Sequence, residues 1–197
     1  MTKPDPSPYQ WLTADSLTVA PLLLGLELVS NAGGIETAGR IVEVEAYHGR
    51  EDPASHAYRG HTSRVAPMFE AGGAIYVYLS YGVHNCVNIV TGPAGEGQAV
   101  LIRALEPTIG LNVMATRRHT AGPRLLTSGP GRLSQSLGIG LDLSGSRLGE
   151  TLSLRPTGPY PAQALAVATS PRIGITKAAD YPWRFYLRDN PYVSGRR

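Results

Sequence analysis

Between residues 74 and 90 the chain can do little but fold back on itself as an antiparallel hairpin. From Ala74 to Ser80 the residues alternate, with Tyr76, Tyr78 and Ser80 on one side and Ile75, Val77 and Leu79 on the other, which is the period of a β-strand. Tyr81–Gly82 breaks the run, and a second strand follows from about His84 to Val90. Strands joined by so short a turn pair antiparallel, and this one carries Tyr81 at its tip. The same period recurs from Ile35 to Tyr47, where Arg40, Val42, Val44 and Ala46 share one face and Ile41, Glu43, Glu45 and Tyr47 the other. It returns from Gln98 to Leu105, where Arg103 sides with Ala99 and Leu101.

Helical stretches are short. Capping side chains at Thr13–Ser16 open one that leads through Leu17–Leu28 into a strand, with Pro21 in its first turn. Another follows Pro107 through Met114, and a third follows Ser128–Gly129–Pro130 as far as Gly138. Asn31–Gly34 reads as a turn, and Arg172–Ile175 and Trp183–Arg188 as short strands. The 23 glycines and 16 prolines supply the turns that such an arrangement needs. Together these predict one α/β domain over residues 12–197, with a curved, largely antiparallel sheet, flanking helices and a protruding β-hairpin. Residues 1–11, with three prolines, read as a flexible N-terminal arm.

At 197 residues the chain can bury a core without covalent staples. Its single cysteine, Cys86, excludes an internal disulfide and a four-thiolate zinc site. The five histidines follow no metal-ligand spacing, and no phosphate-loop, dinucleotide or nucleophile-elbow motif is present, so neither metal nor cofactor is expected. The longest apolar run lasts twelve residues and contains Pro21 and Glu27, too short for a membrane span. An intracellular protein (cytoplasm or nucleoid in a bacterium) is the expectation.

Charge is unevenly placed. Residues 1–98 carry five basic and ten acidic side chains, a net of −5, whereas residues 99–197 carry thirteen and five, a net of +8. Sixteen of the eighteen cations are arginine, whose planar fork suits phosphate. A polyanionic partner and a merely solvated basic face fit this charge equally well.

Two constellations could carry chemistry. Glutamates at 43 and 45 on one strand face are costly unless solvated, paired or used. Tyr47 and the following loop, with His56, could bring an aromatic shelf and an imidazole to Glu45. Tyr81 has no core to enter at a hairpin tip, so it reads as a wedge between stacked bases or as a protein-contact anchor.

Six blocks carry a family likeness: Arg40–Gly49 (RIVEVEAYHG), Glu51–His56 (EDPASH), Tyr76–Gly82 (YVYLSYG) with Asn88, Leu101–Pro107 (LIRALEP), Ser128–Pro130 (SGP) and Arg184–Arg188 (RFYLR). In this order, over roughly residues 12–194, the chain resembles the alkyladenine (3-methyladenine) DNA glycosylases of the mammalian type. The resemblance implies a DNA glycosylase of base excision repair that flips alkylated or deaminated purines out of duplex DNA and hydrolyses their glycosidic bond. It implies Glu45 as general base with Arg103 beside the attacking water. Tyr47, His56 and Tyr78 match the base pocket, and Asn88 a residue crowding normal purines. Tyr81 matches the intercalating residue, and Ser128 and Gly129 a phosphate-contact segment, which Arg132 joins by charge and proximity. Val83–His84 depart from bulkier residues of the mammalian members, and Arg64 receives no role. The implied partner is double-stranded DNA containing damaged purines, without a membrane, bound by a monomer. No lysine lies in a matched block, so a Schiff-base lyase step is disfavoured. The competing readings are a noncatalytic duplex-DNA-binding module and a hydrolase of free nucleosides.

Overall fold

The structure is a computed structural model that describes residues 8–157 and 166–195. Among these residues eight strands form one open antiparallel sheet: β1 (Glu27–Ser30), β2 (Thr37–His48), β3 (Ile75–Ser80), β4 (His84–Thr91), β5 (Gln98–Ile109), β6 (Leu152–Arg155), β7 (Val167–Ser170) and β8 (Arg184–Leu187). The order is β3-β4-β5-β2-β1-β6, with β8 on the second half of β2 and β7 beyond it. Helices α1 (Ser16–Leu23), α2 (Leu111–Arg118), α3 (Pro123–Thr127) and α4 (Pro130–Leu137) flank the sheet. This is the α/β class and the antiparallel sheet expected from the sequence.

Strand β2 is the spine. β5 runs along one edge, while β1 pairs with its first half and β8 with Glu43–Glu45 on the other. Both of its faces are covered, and Ile41 through Ala46 are all fully buried, so the solvated-face reading of Glu43 and Glu45 fails. The β2–β5 register shifts between Ile41 and Val44, a bulge that breaks the simple alternation and tightens the local twist.

Apolar residues from the strands, α1 and α4 make the main core, including Leu23, Leu28, Val44, Ile75, Ile89, Ile102, Leu105 and Leu133. Each such side chain contributes about 1.5–3 kcal/mol by leaving water.

Several boundaries differ from expectation. Asp15 caps α1 by accepting from the Leu17 amide at 2.7 Å, but Pro21 is the sixth helical residue and not in the first turn. The helix ends two residues later. β5 continues to Ile109, and α2 starts only after Gly110 and runs past Met114 to Arg118. Residues 172–175 form no strand; they lie in a loop after β7. Of the expected arm, residues 1–7 lie outside the described residues, while Tyr9 and Trp11 pack on the core and Leu12 is buried, so the packed chain reaches back to Tyr9. Among the described residues no helix is long and apolar enough to cross a membrane.

The hairpin is as expected. Its turn has positive φ at both Tyr81 (50°) and Gly82 (72°) and closes with the Val83 amide donating to the Ser80 carbonyl at 3.1 Å. Positive φ at two successive residues matches the twist of paired strands. α4 braces the hairpin next to the tip: a Cβ on Gly131 would fall 2.8 Å from the His84 Cβ, so only glycine lets helix and strand approach this closely.

Candidate active site

A cleft of about 370 Å³ opens beside the hairpin, where β2, β3, β4 and β5 meet the loops at 52–56 and 173–175. Its walls include Tyr47, His56, Tyr76, Tyr78 and Asn88, and Arg103 lies among its lining residues. Period two in β3 delivers Tyr76 and Tyr78 to one side, with ring centroids 5.7 Å apart. His56 meets Tyr78 edge-on at 4.5 Å, and its Nδ1 lies 2.9 Å from the Tyr76 hydroxyl. Burial, helped by the charge of Arg64, holds the His56 imidazole below its ordinary range and therefore neutral near pH 7. Burial raises the Tyr78 phenol, as do Cys86 and Glu45 nearby. Asn88 is pinned across the hairpin, its Nδ2 donating to the Tyr76 carbonyl at 3.1 Å.

Glu45 lies behind this wall, fully buried. Its Oε1 accepts from the Ile173 amide at 2.7 Å and lies 3.3 Å from an Arg103 Nη1. Its Oε2 accepts from the Tyr47 hydroxyl at 3.0 Å. Burial raises the Tyr47 phenol, and the Glu45 charge raises it further, so Tyr47 keeps its proton. Burial works against the Arg103 charge, but the Glu45 and Glu43 carboxylates outweigh it and the guanidinium titrates above its ordinary range.

Tyr81 is 89% exposed at the cleft's rim. Past it runs a groove lined by His84, Arg118, Gly129, Pro130 and Arg132, which shares Ser80, Tyr81, Cys86 and Pro130 with the cleft. Arg132 reaches the Ser128 hydroxyl at 3.2 Å and its carbonyl at 3.3 Å. Thus Tyr47, His56, Tyr78, Asn88, Arg103 and Tyr81 share one cleft, Glu45 backs it, Gly129 and Arg132 line the adjoining groove, and Ser128 is buried behind Arg132. Among the described residues no three His, Cys, Asp or Glu side chains are grouped to hold a metal ion.

The family model for methylpurine-DNA glycosylase (MPG) matches residues 10–191. The chain belongs to the methylpurine-DNA glycosylase family. A Methanoculleus marisnigri protein is 52% identical over 191 residues, covering 96% of this chain and 98% of its own. A Rhodopseudomonas palustris protein is 50% identical over 190 residues (94% and 86%). One from Carboxydothermus hydrogenoformans is 47% identical over 189 residues (95% and 97%). Each bears the name "Putative 3-methyladenine DNA glycosylase". These relatives are bacterial and archaeal, so the narrower likeness to the mammalian type rests on the sequence blocks alone.

In this methylpurine-DNA glycosylase family member, sequence reasoning missed Arg172. Its buried guanidinium bonds both oxygens of the buried Asp52 (2.5 and 2.8 Å) and the Ala46 carbonyl (3.0 Å). It lies 4.7 Å from the Tyr47 ring centre and 5.0 Å from that of Trp183. The residue thereby staples the loop carrying Ile173 to the loop carrying His56. Asp52 stood inside a matched block, but nothing local in the sequence pairs it with an arginine 120 positions away.

Proposed function

We propose that the chain is a monofunctional DNA glycosylase that flips alkylated or deaminated purines (3-methyladenine, 7-methylguanine, hypoxanthine and ethenoadenine type) from duplex DNA and hydrolyses the bond joining base to deoxyribose. The observation that carries this reading is a wholly buried carboxylate, Glu45, held by a guanidinium, a phenol and an amide behind an aromatic cleft with an exposed tyrosine at its rim.

Each part has a use in that reaction. Tyr81 fills the gap left by the departing nucleotide, and unstacking costs a few kcal/mol, least at a damaged pair. Gly129 and Arg132 meet the phosphates in the adjoining groove, with Ser128 holding Arg132 from behind, and arginine gives charge-assisted hydrogen bonds. The flipped base enters among Tyr47, His56 and Tyr78. Their electron-rich rings attract an alkylated, cationic purine by about 0.5–2 kcal/mol each. Neutral imidazole and protonated phenols suit that charge, since none adds a like one. Asn88 stands where an exocyclic amino group of a normal purine would be crowded.

Chemistry then needs a base near the sugar. One lone pair of Glu45 Oε2 takes the Tyr47 hydroxyl; the carboxylate is fully buried behind the cleft wall, so the flipped nucleotide must part that wall for the second lone pair to take the water. Glu45 removes a proton from that water as its oxygen bonds to the anomeric carbon, and the glycosidic electron pair leaves with the purine. The carboxylate also stabilises the oxocarbenium character of the transition state. Arg103 orients Glu45. A neutral lesion needs a proton as it departs, whereas an alkylated one does not. Among the described residues no lysine lines the cleft, which supports hydrolysis without a Schiff-base intermediate. One wedge and one cleft on one chain suit a monomer.

The test is base release from duplex oligonucleotides bearing each lesion, resolved with and without alkali. Base loss that becomes strand scission only after alkali is the expected result. Salt-sensitive duplex binding without base loss on any lesion would instead identify a noncatalytic module. Equal activity on free nucleosides would identify a nucleoside hydrolase.

A further inference from the structure

Behind Glu45 lies a second carboxylate that the proposed reaction does not use. Glu43 is fully buried and is absent from the cleft lining. Its Oε1 accepts from Arg103 Nε at 3.0 Å, Arg184 Nε at 2.7 Å and the Ser194 hydroxyl at 3.0 Å, and its Oε2 from the Ser194 amide at 2.5 Å. Oε1 is saturated by these three donors. The surroundings are held as firmly. Arg184 also donates to the Ser194 carbonyl at 3.1 Å and the Ser170 hydroxyl at 2.9 Å, and stacks 4.5 Å from the Tyr186 ring centre. Arg103 is shared: Nε on Glu43, Nη1 beside Glu45 and Nη2 donating to the Ser194 hydroxyl at 3.4 Å.

Two carboxylates and two guanidiniums thus form one buried, nearly neutral cluster, closed by the chain near its C-terminus. Such a cluster contributes little net stability compared with an apolar one, but it fixes geometry, and losing one member leaves an uncompensated charge. We propose that Glu43, Arg184 and Ser194 form a positioning unit for Arg103, setting where its guanidinium lies and how much of its charge Glu45 receives. This rests on Glu45 being the base. None of the three touches the reacting atoms; they act through Arg103.

The charges make the proposal specific. The ionisable groups facing Glu45 are Tyr47 on its own strand, Arg103 on β5 and Tyr78 on β3. Beyond them stand Glu43, Arg184 on β8, and Arg172 with Asp52 across Tyr47. Glu43→Gln removes a negative charge and leaves Arg103 to Glu45 alone, so Glu45 becomes a weaker base. Arg184→Gln leaves Glu43 under-compensated and draws Arg103 toward it, so Glu45 becomes a stronger base that is less well placed. Opposite shifts report the two charges acting on Glu45; the positioning of Arg103 is read from Ser194→Ala, which keeps every charge and removes the hydroxyl that both Glu43 and Arg103 touch.

The experiment is single-turnover release of 7-methylguanine from duplex DNA as a function of pH. This cationic leaving group needs no proton, so the acid limb reports the base. Folding is followed by thermal melting and lesion affinity by duplex binding. Glu43→Gln is expected to lose roughly 10–100-fold in rate through misplacement of Arg103, at near wild-type lesion affinity, with its acid limb moved to lower pH. Arg184→Gln moves the limb to higher pH, and Arg184→Lys returns it toward wild type.

Wild-type rate and limb in a folded Glu43→Gln, or limbs that move the same way in both variants, would overturn the proposal. Should Glu43→Gln not fold, Ser194→Ala decides. It keeps every charge, and its rate must fall at unchanged affinity; an unchanged rate would also overturn the proposal. Glu45→Gln runs beside them. If it retains turnover while Glu43→Gln loses it, Glu43 is the base, and both this proposal and the assignment of Glu45 fail together. If Glu45→Gln is inactive and Glu43→Gln normal, only the positioning unit fails.

Discussion

Replacing Arg172 by methionine keeps an unbranched apolar stem but removes the guanidinium and its two hydrogen bonds to the buried Asp52 carboxylate. Asp52 would retain the Ala54 amide at 3.0 Å and the His48 amide at 3.3 Å, too little for a fully buried charge. Removing one member of a buried ion pair costs about 3–5 kcal/mol. Loss of the attraction between the guanidinium and the Tyr47 and Trp183 rings falls on the same side. At about 2–4 °C per kcal/mol for a domain of this size, the melting temperature should drop by about 6–20 °C. Asp52→Asn in the Arg172→Met background should recover part of this, because the stranded charge is gone. Urea unfolding of the two single variants and the double variant gives the coupling energy directly. Base release should suffer as well, since the Ile173 amide that holds Glu45 follows Arg172 in the chain. A change within about 1 kcal/mol for Arg172→Met, or strict additivity in the double variant, would refute the reasoning, since neither fits a stranded buried charge.

Three other outcomes follow from the geometry. Tyr81→Ser should leave stability within about 0.5 kcal/mol, since the residue is 89% exposed, while preference for lesion over undamaged duplex in a binding titration collapses; retained preference would remove the wedge. Asn88→Ala should raise release of undamaged purines relative to damaged ones in a competition assay, at a folding cost of about 1 kcal/mol for the lost bond to Tyr76. Because burial depresses the His56 pKa, the unfolded chain takes up that proton first as pH falls through the ordinary 6.5, so this contribution is present above 6.5 and lost below it. His56→Asn should therefore show a shallower loss of stability between neutral and mildly acidic pH, and parallel pH–stability curves would contradict the assignment.

The sheet was legible because strand period and turn chemistry are local. Ala74–Val90 yielded the hairpin, and Ile35–Tyr47 yielded β2 with its two glutamates on one face. Tertiary contacts overrode local signals elsewhere. Pro21 falls inside α1, where it leaves the Leu17 carbonyl without its helical donor. Residues 172–175 look strand-like in isolation but stay in a loop, where Arg172 is tied to Asp52 and the Ile173 amide to Glu45. The cleft residues were reachable through family blocks, while the cluster joining Glu43, Arg103, Arg184 and Ser194 was not. Its members are spread over about 150 positions, and no period or spacing in a single sequence relates them.

The central claim is that Glu45 is the base, and the most direct measurement is single-turnover release of 7-methylguanine by Glu45→Gln with lesion-duplex affinity measured on the same preparation. Glutamine has the shape of glutamate but does not accept water's proton at neutral pH. The account predicts a rate loss of about 10²–10⁴-fold, the range of a lost general base, with affinity close to wild type. A folded Glu45→Gln that binds the lesion and releases it within about tenfold of the wild-type rate, well short of that range, would contradict the account.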